Sequence, residues 1–401
     1  MSLLAGQWLL ELLMGIGRFF LHPFVYFFLI FAYLNGVWRV KRERRSFHVR
    51  VYDVFDDIRF TYTKGILAGL ILSVIFFLVG LWLPFGTIVL WTVWTLIVSL
   101  TFNPRFLSAA VTLGGTMILT AFLSQIADQN QSIQQFFAEI DRTSYSALAI
   151  MMSLLLICEG ILIYRTAHVR TSPFIIKSKR GLPIGNHLAN RMWLLPVLLI
   201  VPGGQLETPF SWWPVISING ESFSLFMIPF FLGFKQRIQG SLPKESIQTT
   251  GRRIAYLGLL SFIMAVGSIW ASFLAFAAAV LALAGKMAIS IKQRMNDDSA
   301  AFYFSKRDDG LVVLGTLPQS PGEKMGIKTG EVIIKANGIN VKNVSEFYAA
   351  LQTNRAYCKL EILGHNKEVR FVQRALYEGE HHELGILFVQ DEKKWEVEGA
   401  G

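Results

Sequence analysis

The chain has 401 residues, 53% of them hydrophobic and only 16% charged, and a mean hydropathy of +0.44. Soluble domains carry nearer a quarter charged residues, so this deficit points to a membrane protein. The net charge of +10 does not argue for nucleic acid, because much of it lies in short segments between apolar runs, where topology explains it.

The N-terminus lacks a basic start and a small-residue cleavage site, and its apolar character outlasts a signal peptide, so it reads as retained. Residues 3–17 hold Trp8, Leu9, Leu10, Leu12 and Leu13, interrupted by Gln7 and Glu11. They fit either an interfacial helix or the first half of a hairpin. A span needs about 20 mostly apolar residues. Candidate runs follow at 19–38, 65–83, 86–102, 106–127, 145–164, 192–202, 223–234 and 254–291. The last is long enough for two spans turning near Ala271 and Ser272. The runs at 192–202 and 223–234 are short. They either extend into 203–222 or form a partly re-entrant region around Pro202-Gly203-Gly204 and Asn219-Gly220-Glu221. The expected architecture over 1–295 is thus a polytopic α-helical membrane domain of about eight or nine spans.

Segments 39–64, 165–191 and 235–253 are rich in Lys and Arg. By contrast, 128–144 sets Asp128, Glu139 and Asp141 against Arg142, and 203–222 has neither Lys nor Arg. The positive-inside rule puts the basic segments in the cytoplasm, and counting spans returns the chain there at 286–294. Segment 39–64 reads as a loop in which KRERRSFHVR gives way to VYDVFDDIRF. It is either a topological anchor followed by an interfacial stretch, or a docking strip. In the second reading Lys41, Arg42, Arg44 and Arg45 attract anionic lipid at about 1 kcal/mol each. Tyr52 and Phe55, with Phe60 and Tyr62, would then offer aromatic anchors to a partner.

Ionisable residues inside spans are functional candidates. Here they are His22, which reads as structural or interfacial, and Glu159, which is expected to reach the interface or pair with Arg165. No H-E-x-x-H motif supplies a zinc protease, and His381-His382-Glu383 has the wrong spacing. Ser268 lacks a histidine in any neighbouring span, as a Ser-His protease requires. There is no P-loop and no dinucleotide fingerprint. Two cysteines, Cys158 in an apolar run and Cys358 near the C-terminus, exclude a disulfide scaffold or a Cys-rich zinc site. No catalytic residue, metal site or cofactor is expected.

From Gly310 the pattern changes to short strands with turn signals, marking a soluble mixed α/β module over 299–392 and a tail over 393–401. Strands are expected at 311–316, 332–336, 357–363, 367–374 and 384–390. Asn337-Gly338 is a tight turn, and Asn343 with Glu346 has capping-box spacing for a helix through Leu351. The run SPGEKMGIKTGEVIIKANGINVKNVSEFYAAL resembles the core of bacterial PDZ domains, departing from it at Glu331, where Asp is frequent, and Gly322, where Ala is usual.

Such domains bind an extended C-terminal peptide by β-augmentation, with backbone N–H groups capturing its carboxylate. The Φ-Gly-Φ loop they use fits Leu384-Gly385-Ile386, followed by Leu387 on an edge strand, in the order of circularly permuted bacterial PDZ domains. The second assignment is Asp309-Gly310-Leu311-Val312. The facing helix would turn Val344, Tyr348 and Leu351 to the groove; alternatively these residues are plain core.

Several spans, the segment KRERRSFHVRVYDVFDDIRFTYTKG and one C-terminal PDZ module together resemble the MinJ family of Gram-positive rods, over essentially the full length. That resemblance implies a membrane scaffold enriched at septum and poles. It would connect the polar protein DivIVA to the division inhibitor MinC–MinD and restrict FtsZ-dependent division. DivIVA-like and MinD-like proteins and anionic membrane lipid are then the expected partners. Competing readings are a non-catalytic regulatory partner of a membrane protease and a transporter with a regulatory PDZ.

Overall fold

The computed structural model describes residues 2–126, 140, 142–207, 222–354, 356–376 and 384–389. Most of the acidic stretch 128–144, Asn219-Gly220-Glu221, His381-His382-Glu383 and the tail lie outside the described residues. Residues 3–17 belong to helix α1 (Ser2–Leu21), which packs on a strand described below. Helix α2 (Pro23–Phe47) starts at His22, whose Nδ1 accepts the Phe24 N–H at 3.2 Å, with Pro23 at the first helical position. His22 is therefore a helix cap. Helix α2 does not stop at Arg39. It carries the basic run through to Phe47 and ends with His48 in the left-handed region, so the first third of the expected loop is helix.

Helices α3 (Asp56–Lys64), α4 (Ile66–Val79), α5 (Phe85–Ser99), α6 (Ala109–Ile126) and α7 (Tyr145–Leu162) follow. Later come α8 (Pro243–Gly267) and α9 (Phe273–Ser299), joined by a turn at 268–272, as the apolar pattern predicts. Among the described residues, four helical segments are long and apolar enough to cross a membrane: Pro23–Phe47, Asp56–Val79, Tyr145–Ala167 and Phe273–Ser299.

The runs at 192–202 and 223–234 are neither spans nor re-entrant helices. They lie in β2 (Pro183–Leu206) and β3 (Phe223–Ile238), an antiparallel ribbon edged by β1 (Ser172–Lys177). Pro196 and Pro229 sit inside these runs, and an interior proline costs a helix about 3 kcal/mol or more. In the ribbon they face each other. The Pro196 carbonyl and the Leu198 N–H both turn outward to the Ser73 hydroxyl, at 3.0 and 2.9 Å. The proline pair thus occupies a non-hydrogen-bonded position, where neither missing N–H breaks the ladder.

Helices wrap this ribbon. Trp91 stacks on Phe230 at 5.1 Å, and Phe28 on Phe231 at 4.0 Å. Helix α4 lies against β2 through Gly65, Gly69 and Ser73, one turn apart. A Cβ on Gly69 would meet Pro196 Cδ at 2.5 Å.

The C-terminal module has sheet order β8-β7-β5-β4-β9, with β6 beside β5. Its strands are β4 (Leu311–Thr316), β5 (Val332–Ala336), β6 (Ile339–Asn340), β7 (Tyr357–Leu363), β8 (Val369–Ala375) and β9 (Ile386–Phe388). Two short helices complete it, α10 (Pro321–Lys324) and α11 (Val344–Gln352). Strand side chains alternate between faces. Leu311, Val313, Ile386 and Phe388 face a core under α11 with Phe347 and Ile333. Val312, Leu314, Leu387 and Val389 face the other way, onto Phe304, Val51, Phe47, Tyr52 and Ile175. The module is therefore seated by the back of its sheet on the membrane domain, and the Gly185 N–H donates to Phe304 O at 2.8 Å across the joint.

Gly69→Leu should wedge α4 from β2 and cost about 1–3 kcal/mol. Thermal unfolding in detergent should show a lower midpoint, while Gly17→Ala, whose Cβ meets nothing within 4 Å, should leave the midpoint unchanged.

Candidate functional site

Strand β9 is the sheet edge. One side pairs with β4, and among the described residues the other side pairs with no strand. Helix α11 flanks it, with Phe347 and Phe388 ring centroids 5.2 Å apart. Asn343 starts that helix by accepting the Glu346 N–H at 2.8 Å, while the Glu346 carboxylate accepts the Lys342 N–H at 2.8 Å. Val344 and Tyr348 are half-buried against the core beside this edge, whereas Leu351 is buried in the core itself. Leu311 and Val312 lie on β4, between β5 and β9, so the second assignment has no sheet edge to offer.

The loop ahead of β9 has a defined polarity. Leu384 O accepts the Gly322 N–H at 2.9 Å, and Gly385 O accepts the Leu317 N–H at 2.7 Å. Because the peptide unit is planar and trans, the N–H groups of Gly385 and Ile386 point away from that turn. Gly385 has φ +67, and a Cβ there would meet Ser320 Cβ at 2.4 Å. The unusual Gly322 has the same kind of reason: a Cβ would sit 2.8 Å from Ile386 Cγ1 and 2.9 Å from Leu384 O. Glu331 is held by Arg370 through two bonds of 3.1 and 2.7 Å, which its extra methylene reaches. Leu387, expected beside the peptide, points instead into the joint with the membrane domain.

The basic and aromatic strip divides. Lys41, Arg44, Arg45 and Phe55 are exposed. Arg42 donates to Ser172 Oγ at 3.1 Å and covers the Phe174 ring. Tyr52 lies under the C-terminal module between Arg39 and Arg170, and burial pushes its hydroxyl up to about 12.

Beneath it is a buried charge cluster that the sequence reading missed. Asp57 accepts from Arg39 Nε at 2.8 Å and from Arg191 Nη1 at 3.0 Å. Glu43 accepts from Ser172 Oγ at 2.9 Å and from the Val51 and Tyr52 N–H groups at 2.9 and 3.3 Å. Arg191 also donates to the Val169 and Arg170 carbonyls. These bonds fix the 48–55 turn on which the module rests. The available signal was Glu43, the one acid within KRERRSFHVR, four residues after Arg39.

Glu159 does not pair with Arg165. It is fully buried, pairs with Lys286 on α9, and accepts from Ser108 Oγ at 2.7 Å and the Ala109 N–H at 3.2 Å. This satisfied pair ties α7 to α9 and to the start of α6. Glu159→Gln should therefore leave Lys286 buried and uncompensated, at a cost of about 3–5 kcal/mol. Adding Lys286→Met should restore the thermal midpoint, whereas a transport role would leave the double variant inactive despite normal folding.

His187 lies under the module, 5.0 Å from the Phe304 ring, with Nδ1 2.9 Å from Thr171 Oγ1. Burial pushes its imidazole from 6.5 down to about 4. An undocked His187 would bind a proton that the docked one rejects. Docking stability is thus complete above about 6.5 and falls as pH drops towards 4. Proteolysis of the 300–310 connector should quicken from pH 7 to pH 5, and His187→Gln should flatten that dependence.

Comparison with known proteins adds family relationships. A PDZ domain family matches residues 312–363. The chain is 50% identical over 398 residues to "Cell division topological determinant MinJ" of Bacillus subtilis (strain 168), covering 98% of this chain and 99% of that one. It is 22% identical over 370 residues to "Probable cell division topological determinant MinJ" of Lacticaseibacillus paracasei, covering 89% and 92%.

Proposed function

We propose that this chain, which belongs to the MinJ family of cell division topological determinants, is a membrane scaffold that positions the division machinery by binding rather than by catalysis. One observation carries this reading: the PDZ module is seated by the back of its sheet, so the β9 edge and α11 remain available. An extended C-terminal peptide adds to β9 as a further strand. Its carboxylate sits on the N–H groups of Gly385 and Ile386, after Leu384, and Val344 and Tyr348 form the opposite wall. Leu351 supports that wall from the core.

The basic segments and the PDZ module lie on the cytoplasmic side, supported by the charge asymmetry between segments. Exposed Lys41, Arg44 and Arg45 face anionic lipid there, at about 1 kcal/mol each. The partners are a DivIVA-like polar protein and a MinD-like component of the division inhibitor; by linking them the chain restricts FtsZ-based division, and it is enriched at septum and poles.

Groove variants test this. Val344→Arg and Tyr348→Ala change side chains on the groove wall and should weaken capture of partner tails at least tenfold, with thermal melting alongside to establish that each variant is folded. In dividing cells, a fluorescent full-length fusion should concentrate at septum and poles, and the Val344→Arg form should lose part of that pattern. Uniform membrane signal from the parent fusion would sink the scaffold reading. Unchanged tail binding by both folded variants would sink the groove assignment alone.

A further inference from the structure

Away from the PDZ groove, a cavity of about 260 Å³ opens where three parts of the membrane domain meet. Its walls come from the 3₁₀ turn Pro104–Phe106, the end of β3, and facing turns of α8 and α9. Leu188, Phe234 and Ile254 make its apolar side. Five cations border it, Arg105, Lys235, Arg237, Lys286 and Arg294, against two carboxylates, Asp297 and Asp298.

Both carboxylates have other engagements. Asp297 accepts the Gln239 and Gly240 N–H groups at 3.1 Å. Asp298 pairs with Arg237 at 3.0 Å and with Arg294 at 3.6 Å. Lys286 is neutralised by Glu159. Arg105 and Lys235 remain, and among the described residues neither has a carboxylate partner. Partial burial, and after it the Arg42 cation, lower the pKa of the Lys235 ammonium. Arg105 and Lys235 both line this cavity; like charges there repel, and an anion between them removes that repulsion.

Asn103 uses its Oδ1 to accept the Arg105 N–H at 3.4 Å, which leaves its amide N–H groups for the cavity. Ser290 adds a hydroxyl on the α9 wall. A fork-shaped guanidinium, an ammonium and neutral donors around a small space suit an anion with several oxygens. The apolar wall suits a carbon substituent on that anion.

We propose that this cavity is an oxyanion site for a phosphate ester, clamped by Arg105 and Lys235 with Asn103 and Ser290 as neutral donors. Its size admits a headgroup rather than a larger ligand. Two sources share that chemistry, a membrane phospholipid headgroup and a soluble phosphate ester.

The test uses the full chain in a neutral detergent, followed by thermal melting against dioctanoyl phosphatidylglycerol, glycerol 1-phosphate and dioctanoylglycerol. A saturable rise in midpoint is expected with the first. The half-saturating concentration should rise at least tenfold in Arg105→Gln/Lys235→Gln and stay unchanged in Lys41→Gln/Arg44→Gln/Arg45→Gln. Lys235→Gln alone alters a side chain that is only partly buried, so it should fold normally and still weaken the response several-fold. A response to the phospholipid alone identifies a lipid headgroup; an equal response to glycerol 1-phosphate identifies a soluble ester. The proposal is overturned if dioctanoylglycerol acts as well as the phospholipid, if nothing saturates, or if folded Lys235→Gln and the double variant respond like the parent.

Discussion

A two-stranded ribbon buried among apolar helices has two outer edges, and every amide on them needs a partner. Where water is scarce an unsatisfied backbone group costs several kcal/mol, so open sheet edges are tolerated only when protein covers them. The helices supply that cover. Ser73 serves the β2 edge at Pro196 and Leu198, and the Leu83 N–H donates to Ile200 O at 3.1 Å. On β3, Arg18 donates to Leu225 O at 3.1 Å and Leu107 O accepts the Gly233 N–H at 2.6 Å. The positions of α1, α4 and the α5–α6 connection follow from these obligations as much as from apolar packing.

The same ribbon sets where the PDZ module stands. Strand β2 is 24 residues long. At about 3.3 Å per residue it is long enough to cross some 30 Å of hydrocarbon and still reach the module. His187 lies under the module, Arg191 belongs to the buried charge cluster, and Pro196 is inside the ribbon. The cluster is largely paired internally: Asp57 balances two guanidiniums, and Glu43 spends its lone pairs on Ser172 and the 48–55 turn, while Arg39 Nη1 and Arg191 Nε have no hydrogen-bond partner among the described residues. A buried ionic group of this kind contributes little net stability, but disrupting one member exposes the full desolvation cost of the rest. What the cluster gives is a fixed shape for the turn carrying Val51 and Tyr52.

Legibility in the sequence followed the physics of each segment. The run at 145–164 and the turn near 268–272 were readable because a helix there needs only length and apolarity. The PDZ core was readable from Gly330, Asn337-Gly338 and the Asn343–Glu346 cap, whose roles are local. The ribbon was hidden because strands buried on both faces lose the alternation that marks a strand, leaving 192–202 to resemble a short span. Its prolines and its length, well under 20 residues, were the contrary signals. Leu387 was misplaced for a simpler reason: with Ile386 and Phe388 facing the core, a period of two sends it to the other face. Glu159 and Lys286 lie 127 residues apart, and no local pattern joins such a pair.

A module hung from a flexible connector would present its groove in all directions. Here the connector itself is anchored: the Tyr303 N–H donates to Gln239 O at 2.9 Å, and the Phe304 ring is fully buried between the sheet and β2. The apolar joint involves Val312, Leu314, Leu387 and Val389 on one side and residues from α2, the 48–55 turn and β1 on the other. Leu387 and Ile386 are neighbours on one short strand, so the joint and the groove share a backbone. Displacing β9 to admit a strand would strain the joint, and loosening the joint would shift the groove edge. The back of the sheet therefore acts as a seat that fixes where the β9 edge and α11 face, because a three-residue strand packed on both sides has little freedom to shift.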